Sequence, residues 1–269
     1  MKYCINLFVK TSKVLLRKLR SKINSIRLNF NSAIRKYRIS RKLEPQNIMH
    51  LKRAFSFKAE WYGSSYGGFY VLPSLLNKNS IVYSLGIGKD ISFDLKIIKK
   101  FNCEVHGFDP TPKSINWIKE QKLPKEFNFH DYGISTKTGL IEFYLPANPK
   151  HTSGSLLSIG TVKKENKLIV NMKSLEQIAY ELGHKHIDVL KMDIEGAEYE
   201  VIESLLNSSI TIDQLLIEFH DRLFDDSEPK SKISVEILKK NGYEIFASSA
   251  SYEEISFVHW RKIPILNFI

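Results

Sequence analysis

From residue 80 onward, short apolar runs alternate with segments whose apolar residues recur every three or four positions. Strand-length runs separated by helix-length patterns predict an α/β fold with a parallel sheet, because parallel neighbours need a crossover between them. The expected core strands are 80–85, 103–108, 127–130, 187–192 and 214–219. Between the first two, Ile91, Leu95 and Ile98 mark the buried face of a helix, with Lys96, Lys99 and Lys100 outward. Thr111 before Pro112 predicts an N-cap followed by proline at the first helical position. Ser174 with Gln177 predicts a capping box opening a helix that runs to Gly183. Segments 140–144 and 168–172 read as extra strands inserted between the third and fourth core strands, with a polar loop at 151–155 placed to cover a site. Two final strands, Tyr243–Ser248 and Glu254–His259, are joined by a Ser-rich turn and form an antiparallel pair.

Upstream the pattern changes. Leu15, Leu19, Ile23, Ile26, Phe30, Ile34 and Tyr37 draw one apolar stripe along a helix whose other faces carry Lys and Arg. Glu44-Pro45 interrupts it, since proline disfavours helical backbone in the residue before it. The chain therefore divides into a basic amphipathic segment, 1–43, and an α/β domain, 44–269, joined through a region rich in aromatic residues and Gly that includes Trp61-Tyr62-Gly63.

This division changes the meaning of the net charge of +11. Residues 1–43 hold thirteen Lys or Arg and no acid, so of the 40 basic and 29 acidic residues the α/β domain keeps 27 against 29. The basicity belongs to the appendage, and nucleic-acid binding by the domain is not expected. A basic amphipathic helix suits the surface of an anionic membrane; the alternative is a stripe buried on the domain or on a second copy. With 269 residues, 43% of them hydrophobic, the chain can bury one sizeable core. Cys4 and Cys103 match no metal-ligand or redox spacing. No apolar run reaches the roughly 18 residues of a spanning helix, and Lys10 and Lys13 interrupt the stretch that could serve as a signal-peptide core. The expectation is a cytoplasmic protein, with any membrane contact peripheral at the inner face.

Three motifs carry chemistry. Gly86-Ile87-Gly88 follows the first strand and precedes a helix, where small residues let a ligand approach the backbone. Asp109 ends the second strand 23 positions after Gly86, close to the ~20-residue offset at which an acid accepts hydrogen bonds from a ribose. Lys191-Met192-Asp193-Ile194-Glu195-Gly196-Ala197-Glu198 ends a strand in carboxylates, and acids released there face the crevice of an open parallel sheet. Taken together, these motifs resemble the FkbM family of S-adenosylmethionine-dependent methyltransferases, over residues from about 66 to 259.

The resemblance implies a Rossmann-like methyltransferase fold, a mostly parallel seven-stranded sheet with an antiparallel last strand. It implies S-adenosyl-L-methionine as cofactor, held by Ser84, Gly86, Gly88, Asp90, Asp109 and Asp131. The residues agree with that donor over a dinucleotide. The third glycine of a dinucleotide fingerprint would fall at position 91, where the chain reads Lys89-Asp90-Ile91, and a carboxylate there repels pyrophosphate. The donor has no phosphate; its sulfonium and ammonium are stabilised by acids. Two departures from the commoner pattern are Ser84, where many such enzymes carry an acid, and Asp90, where many carry a third Gly.

The family's activity implies O-methylation of a hydroxyl on a sugar, glycan, glycolipid or small natural product. Asp193, Glu195 and His220 are the candidate catalytic residues; His151, Ser155 and Glu218 are candidates for holding acceptor. Two alternatives stand beside this. Asp193 or Glu195 caps the helix beginning near Ala197, since acids favour the positive end of a helix dipole, or the whole domain is a non-catalytic scaffold for the basic helix. Asp193, Glu195, Glu218 and His220 are also chemically able to ligate a divalent ion, but nothing in their spacing demands it and no metal site is expected.

Overall fold

The structure, a computed structural model, describes residues 34, 44–53, 55–146, 162–225 and 228–266. Apart from residue 34, the expected amphipathic helix of 1–43 lies outside the described residues, as do His151 and Ser155.

A hairpin of β1 (Glu60–Tyr62) and β2 (Phe69–Val71) comes first. Then β3 (Ile81–Leu85), α1 (Ser92–Phe101), β4 (Glu104–Phe108), α2 (Pro112–Ile118) and β5 (Phe127–His130) alternate. β6 (Gly133–Ile134), β7 (Gly139–Pro146) and β8 (Val162–Lys173) form a separate three-stranded sheet. The chain returns through α3 (Leu175–Leu182) to β9 (His186–Met192), α4 (Glu198–Leu206), β10 (Thr211–Glu218), α5 (Lys230–Lys240), β11 (Tyr243–Ser248) and β12 (Glu254–His259).

Seven strands make the main sheet in the order β11-β12-β10-β9-β3-β4-β5. β12 runs antiparallel to both β10 and β11, and the remaining pairs are parallel. This is the α/β sheet expected of a Rossmann-like methyltransferase, reversed last strand included. Burial on both faces explains its near-continuous apolar strands. Tyr83, Leu85, Leu190 and Ile217 pack beneath α3, α4 and α5, while Val82, Val105, Val189 and Leu216 pack beneath α1, α2 and β2. Strand order reverses between β3 and β9, so a crevice opens beyond their carboxyl ends.

Several local details differ from expectation. Leu95 is 37% exposed, and α1 turns Phe93, Asp94, Ile97 and Ile98 inward instead. Ile91 lies before the first helical turn, so it does not set the register of that face. Thr111 occupies the N-cap before Pro112, but its hydroxyl donates to Asp109 at 2.6 Å rather than capping the helix. Half of the capping box forms: Ser174 Oγ accepts from Gln177 N–H at 3.2 Å, whereas the Gln177 amide turns to Glu181. The aromatic segment before residue 80 is not a plain connection, because β2 buries Phe69 and Val71 against α1 and the sheet. Gly183 ends α3 in the left-handed conformation, φ 73°, as expected.

Among the described residues, no helix is long and apolar enough to cross a membrane.

Candidate active site

The loops after β3 and β9 are laced together. Gly86 N–H donates to the Phe108 carbonyl at 2.9 Å, and Asp193 N–H donates to the Leu85 carbonyl at 3.1 Å. Gly86 has φ 75°, and a Cβ there would collide with the Asp193 carbonyl oxygen. Glycine is required on both counts. Gly88, φ 53°, donates its N–H to Asp109 Oδ2 at 2.8 Å. The other carboxylate oxygen of Asp109 accepts from Thr111 N–H at 2.9 Å as well as from its hydroxyl. Burial pushes the pKa of Asp109 up, and the hydrogen bonds from Thr111 and Gly88 work against that rise.

A donor-binding crevice is chemically consistent with these residues. The two glycines leave no side chain between the loop backbone and the ligand. A carboxylate offers about four lone-pair sites, and Asp109 already engages Gly88, Thr111 and Ser114, so a ribose hydroxyl must share an oxygen with them. Asp90 is engaged in the scaffold: Oδ1 accepts from Ser92 N–H at 2.8 Å and Oδ2 from the Ser64 hydroxyl at 2.5 Å. Asp131 sits exposed just past β5. Ser84 is not brought into the crevice. It is fully buried in the face beneath α1, next to its cross-strand neighbour Lys191 and close to Asp94.

Asp94 is a residue the sequence reading missed. Its carboxylate is fully buried, and burial raises its pKa to about 6 against the opposing charge of Lys191 and the nearby Ser84 hydroxyl. An acid of α1 thus lies beside Ser84, buried on the face beneath the helix.

The acceptor side is built around His220. Its side chain is 0% exposed, against 21% for Asp193, 23% for Glu195 and 11% for Glu218. His220 Nε2 lies 3.6 Å from Asp193 Oδ1, 3.5 Å from Glu195 Oε2 and 3.7 Å from Glu218 Oε1. The strand-end register brings these four residues to one point, as the motif positions predict. Burial opposes charge on His220, but Glu198, Glu218 and Glu195 together override it and push the pKa up to about 10. The surrounding carboxylates thus favour the protonated ring. Burial raises the pKa of Asp193, with Lys191 and His220 opposing, and raises that of Glu218 well above the usual range, where the charge of Asp193 adds to the effect.

Neither Asp193 nor Glu195 caps α4. The N-cap is Ala197 and receives no side-chain hydrogen bond, while Glu198 within the first turn accepts from Gly196 N–H at 2.9 Å. Glu195 instead adopts φ 51°, a left-handed conformation uncommon for a residue with a Cβ, which turns the loop so that its carboxylate meets His220. Glu198 was legible in the sequence as the last acid of the strand-end motif, though nothing there disclosed that it would point inward.

Comparisons with known proteins place the chain in a family. The model of the methyltransferase FkbM domain matches residues 72–245. A human protein described as "Probable methyltransferase-like protein 24" is 30% identical over 154 residues, 56% of this chain and 36% of the relative. The chain thus spans about a third of that relative's length. The hexuronic acid methyltransferase AglP of Haloferax volcanii is 25% identical over 153 residues, 54% of this chain and 60% of the relative. The crystal structure of methyltransferase FkbM from Methylobacillus flagellatus superposes with a TM-score of 0.42 at 10% identity, covering 68% of this chain and 44% of the other. With the family model spanning both the glycine loop and the strand-end carboxylates, the chain belongs to the FkbM methyltransferase family, whose methyl donor is S-adenosylmethionine.

Proposed function

We propose that this protein moves the methyl group of S-adenosylmethionine to a hydroxyl oxygen of a sugar, glycan, glycolipid or small natural product. The observation that carries the reading is the convergence of Asp193, Glu195 and Glu218 on His220, beside the Gly86–Asp109 loop pair. In-line displacement needs the acceptor oxygen, methyl carbon and sulfur aligned, and much of the rate comes from that alignment. As the oxygen–carbon bond forms and the carbon–sulfur bond breaks, the sulfonium becomes a neutral thioether and the hydroxyl proton must leave. Asp193 and Glu195 are the more exposed carboxylates of the cluster, so they reach the acceptor, while the more deeply buried Glu218 and His220 hold them. The raised pKa of Asp193 suits a base, since proton transfer is most effective when the base's pKa approaches the working pH. The sugar acceptor draws support from the hexuronic acid methyltransferase among the relatives.

The test is transfer of a labelled methyl group from the donor to a panel of sugars, uronic acids and small polyols, read by mass spectrometry. Ether-linked methyl on one class of acceptor is expected. Binding of donor with methyl appearing only on nitrogen or carbon would overturn O-methylation.

A further inference from the structure

The His220 ring is held from one side and open on the other. Nδ1 lies 3.1 Å from Glu198 Oε1, and the same oxygen accepts the His220 backbone N–H at 2.9 Å. Among the described residues Nε2, fully buried, has no hydrogen-bond partner, and it points at the carboxylates of Asp193 and Glu195. A carboxylate on one ring nitrogen with the other directed at acidic oxygens is how a metal-ligating histidine is commonly oriented.

We propose that Asp193, Glu195 and His220 bind a divalent first-row metal ion, which holds the acceptor hydroxyl. The proposal rests on the methyl-transfer reading for that hydroxyl, but not for the ion. Spacing supports it: Nε2 to the two carboxylate oxygens is 3.6 and 3.5 Å, and one ligand atom from each of the three residues lies within 4.8 Å of the others. With metal–ligand bonds of about 2.1 Å, ligands at tetrahedral positions stand about 3.4 Å apart, so only small inward movements close the site. One imidazole with two carboxylates suits Mn²⁺, Fe²⁺ or Zn²⁺ better than a purely oxygen-seeking ion. Three protein ligands leave a position open, as catalytic sites do. The ring binds through its neutral form, so its Nε2 proton leaves as the ion enters.

Two other clusters of similar composition lack a carboxylate on the far nitrogen of the ring, although His106 Nε2 is also buried with no hydrogen-bond partner among the described residues, 3.2 Å from Glu104 Oε1. In His186, Asp188 and Asp213, the Asp213 carboxylate already meets Arg261 at 3.0 Å and Lys262 at 2.8 Å, while Asp188 accepts Ile81 N–H at 2.8 Å. In Glu104, His106 and His184, the His184 ring lies 2.8 Å from the Tyr83 hydroxyl, and His106 Nδ1 lies 3.0 Å from His130 Nε2.

The experiment titrates Mn²⁺ alone into the full chain and follows the loss of the free-ion paramagnetic resonance signal. One ion per chain is expected, with affinity reduced at least tenfold in Asp193→Asn and in Glu195→Gln. Glu198→Gln, which changes the partner of Nδ1 on the far side of the ring and keeps an oxygen for the backbone N–H groups of His220 and Gly196, is expected to weaken binding by about 10- to 100-fold. No depletion of the signal, or equal depletion in all three variants, overturns the site; so does methyl transfer that proceeds at full rate after chelation. Calorimetry with the demethylated donor separates the two readings. If the chain binds Mn²⁺ in this variant-sensitive way but does not bind that product, the ion site stands and the methyl-transfer reading fails.

Discussion

One oxygen of Glu198 holds His220 twice, accepting its backbone N–H at 2.9 Å and lying 3.1 Å from its ring Nδ1. The other oxygen accepts Gly196 N–H at 2.9 Å, so a single buried carboxylate joins the loop after β9 to the end of β10. Removing one partner of a buried pair typically costs about 3–5 kcal/mol, because the other is left uncompensated. Glu198→Ala is expected to lose that order of stability in a denaturant titration. A loss below about 1 kcal/mol would place Glu198 among exposed pairs, whose worth is of that size.

For the donor side, Asp109→Ala removes the acceptor of Gly88 N–H and Thr111, together with the contact assigned to the ribose. Hydrogen bonds to charged groups are worth about 1.5–3 kcal/mol. Calorimetry should show the demethylated donor binding more weakly by that amount. Unchanged affinity would remove Asp109 from the donor site.

At the acceptor side, Asp193→Asn and Glu195→Gln should each preserve the fold and product binding while lowering turnover. A general base contributes about 10²- to 10⁴-fold. Steady-state kinetics with a methyl acceptor gives the answer, and full activity in both variants would reduce these acids to bystanders.

On the opposite face from α1, His106, His130 and His184 gather with Tyr83 and Phe108; the His106 and His130 rings stack at 5.2 Å. Burial lowers the pKa of His106 to about 3 and also lowers those of His130 and His184. Histidine titrates near 6.5 when unfolded, so the unfolded chain binds more protons between that value and each folded one. Their contribution to stability is present above about pH 6.5 and is lost as pH falls toward 3, at about 1.4 kcal/mol per pH unit for each fully shifted site. Denaturant titrations across this range should show the decline, and His106→Gln should flatten it. A slope unaltered by that change would assign acid sensitivity elsewhere.

Much of this was legible in the primary structure. The core strands and the reversed final pair follow from apolar periodicity, which both faces of a buried sheet impose. The strand-end acids were legible because the position after a parallel strand fixes where a side chain emerges. Asp94 was not, since an acid in the first turn of a helix ordinarily reads as a favourable dipole partner at the surface. Only the face chosen by Phe93 and Ile97 carries it inward. Nor could position alone tell His220 at the centre of a cluster from a histidine at its edge; the ring's place depends on Glu198, twenty-two residues earlier.

The collision that a side chain at Gly86 would have with the Asp193 carbonyl makes position 86 and the 193–198 loop one hereditary unit. Gly86→Ala should therefore injure both donor affinity and turnover, unlike a change confined to either half. The same reasoning governs grafting: a loop transplanted from a relative to alter acceptor choice must keep the backbone path at residue 193, or bring its own glycine turn with it.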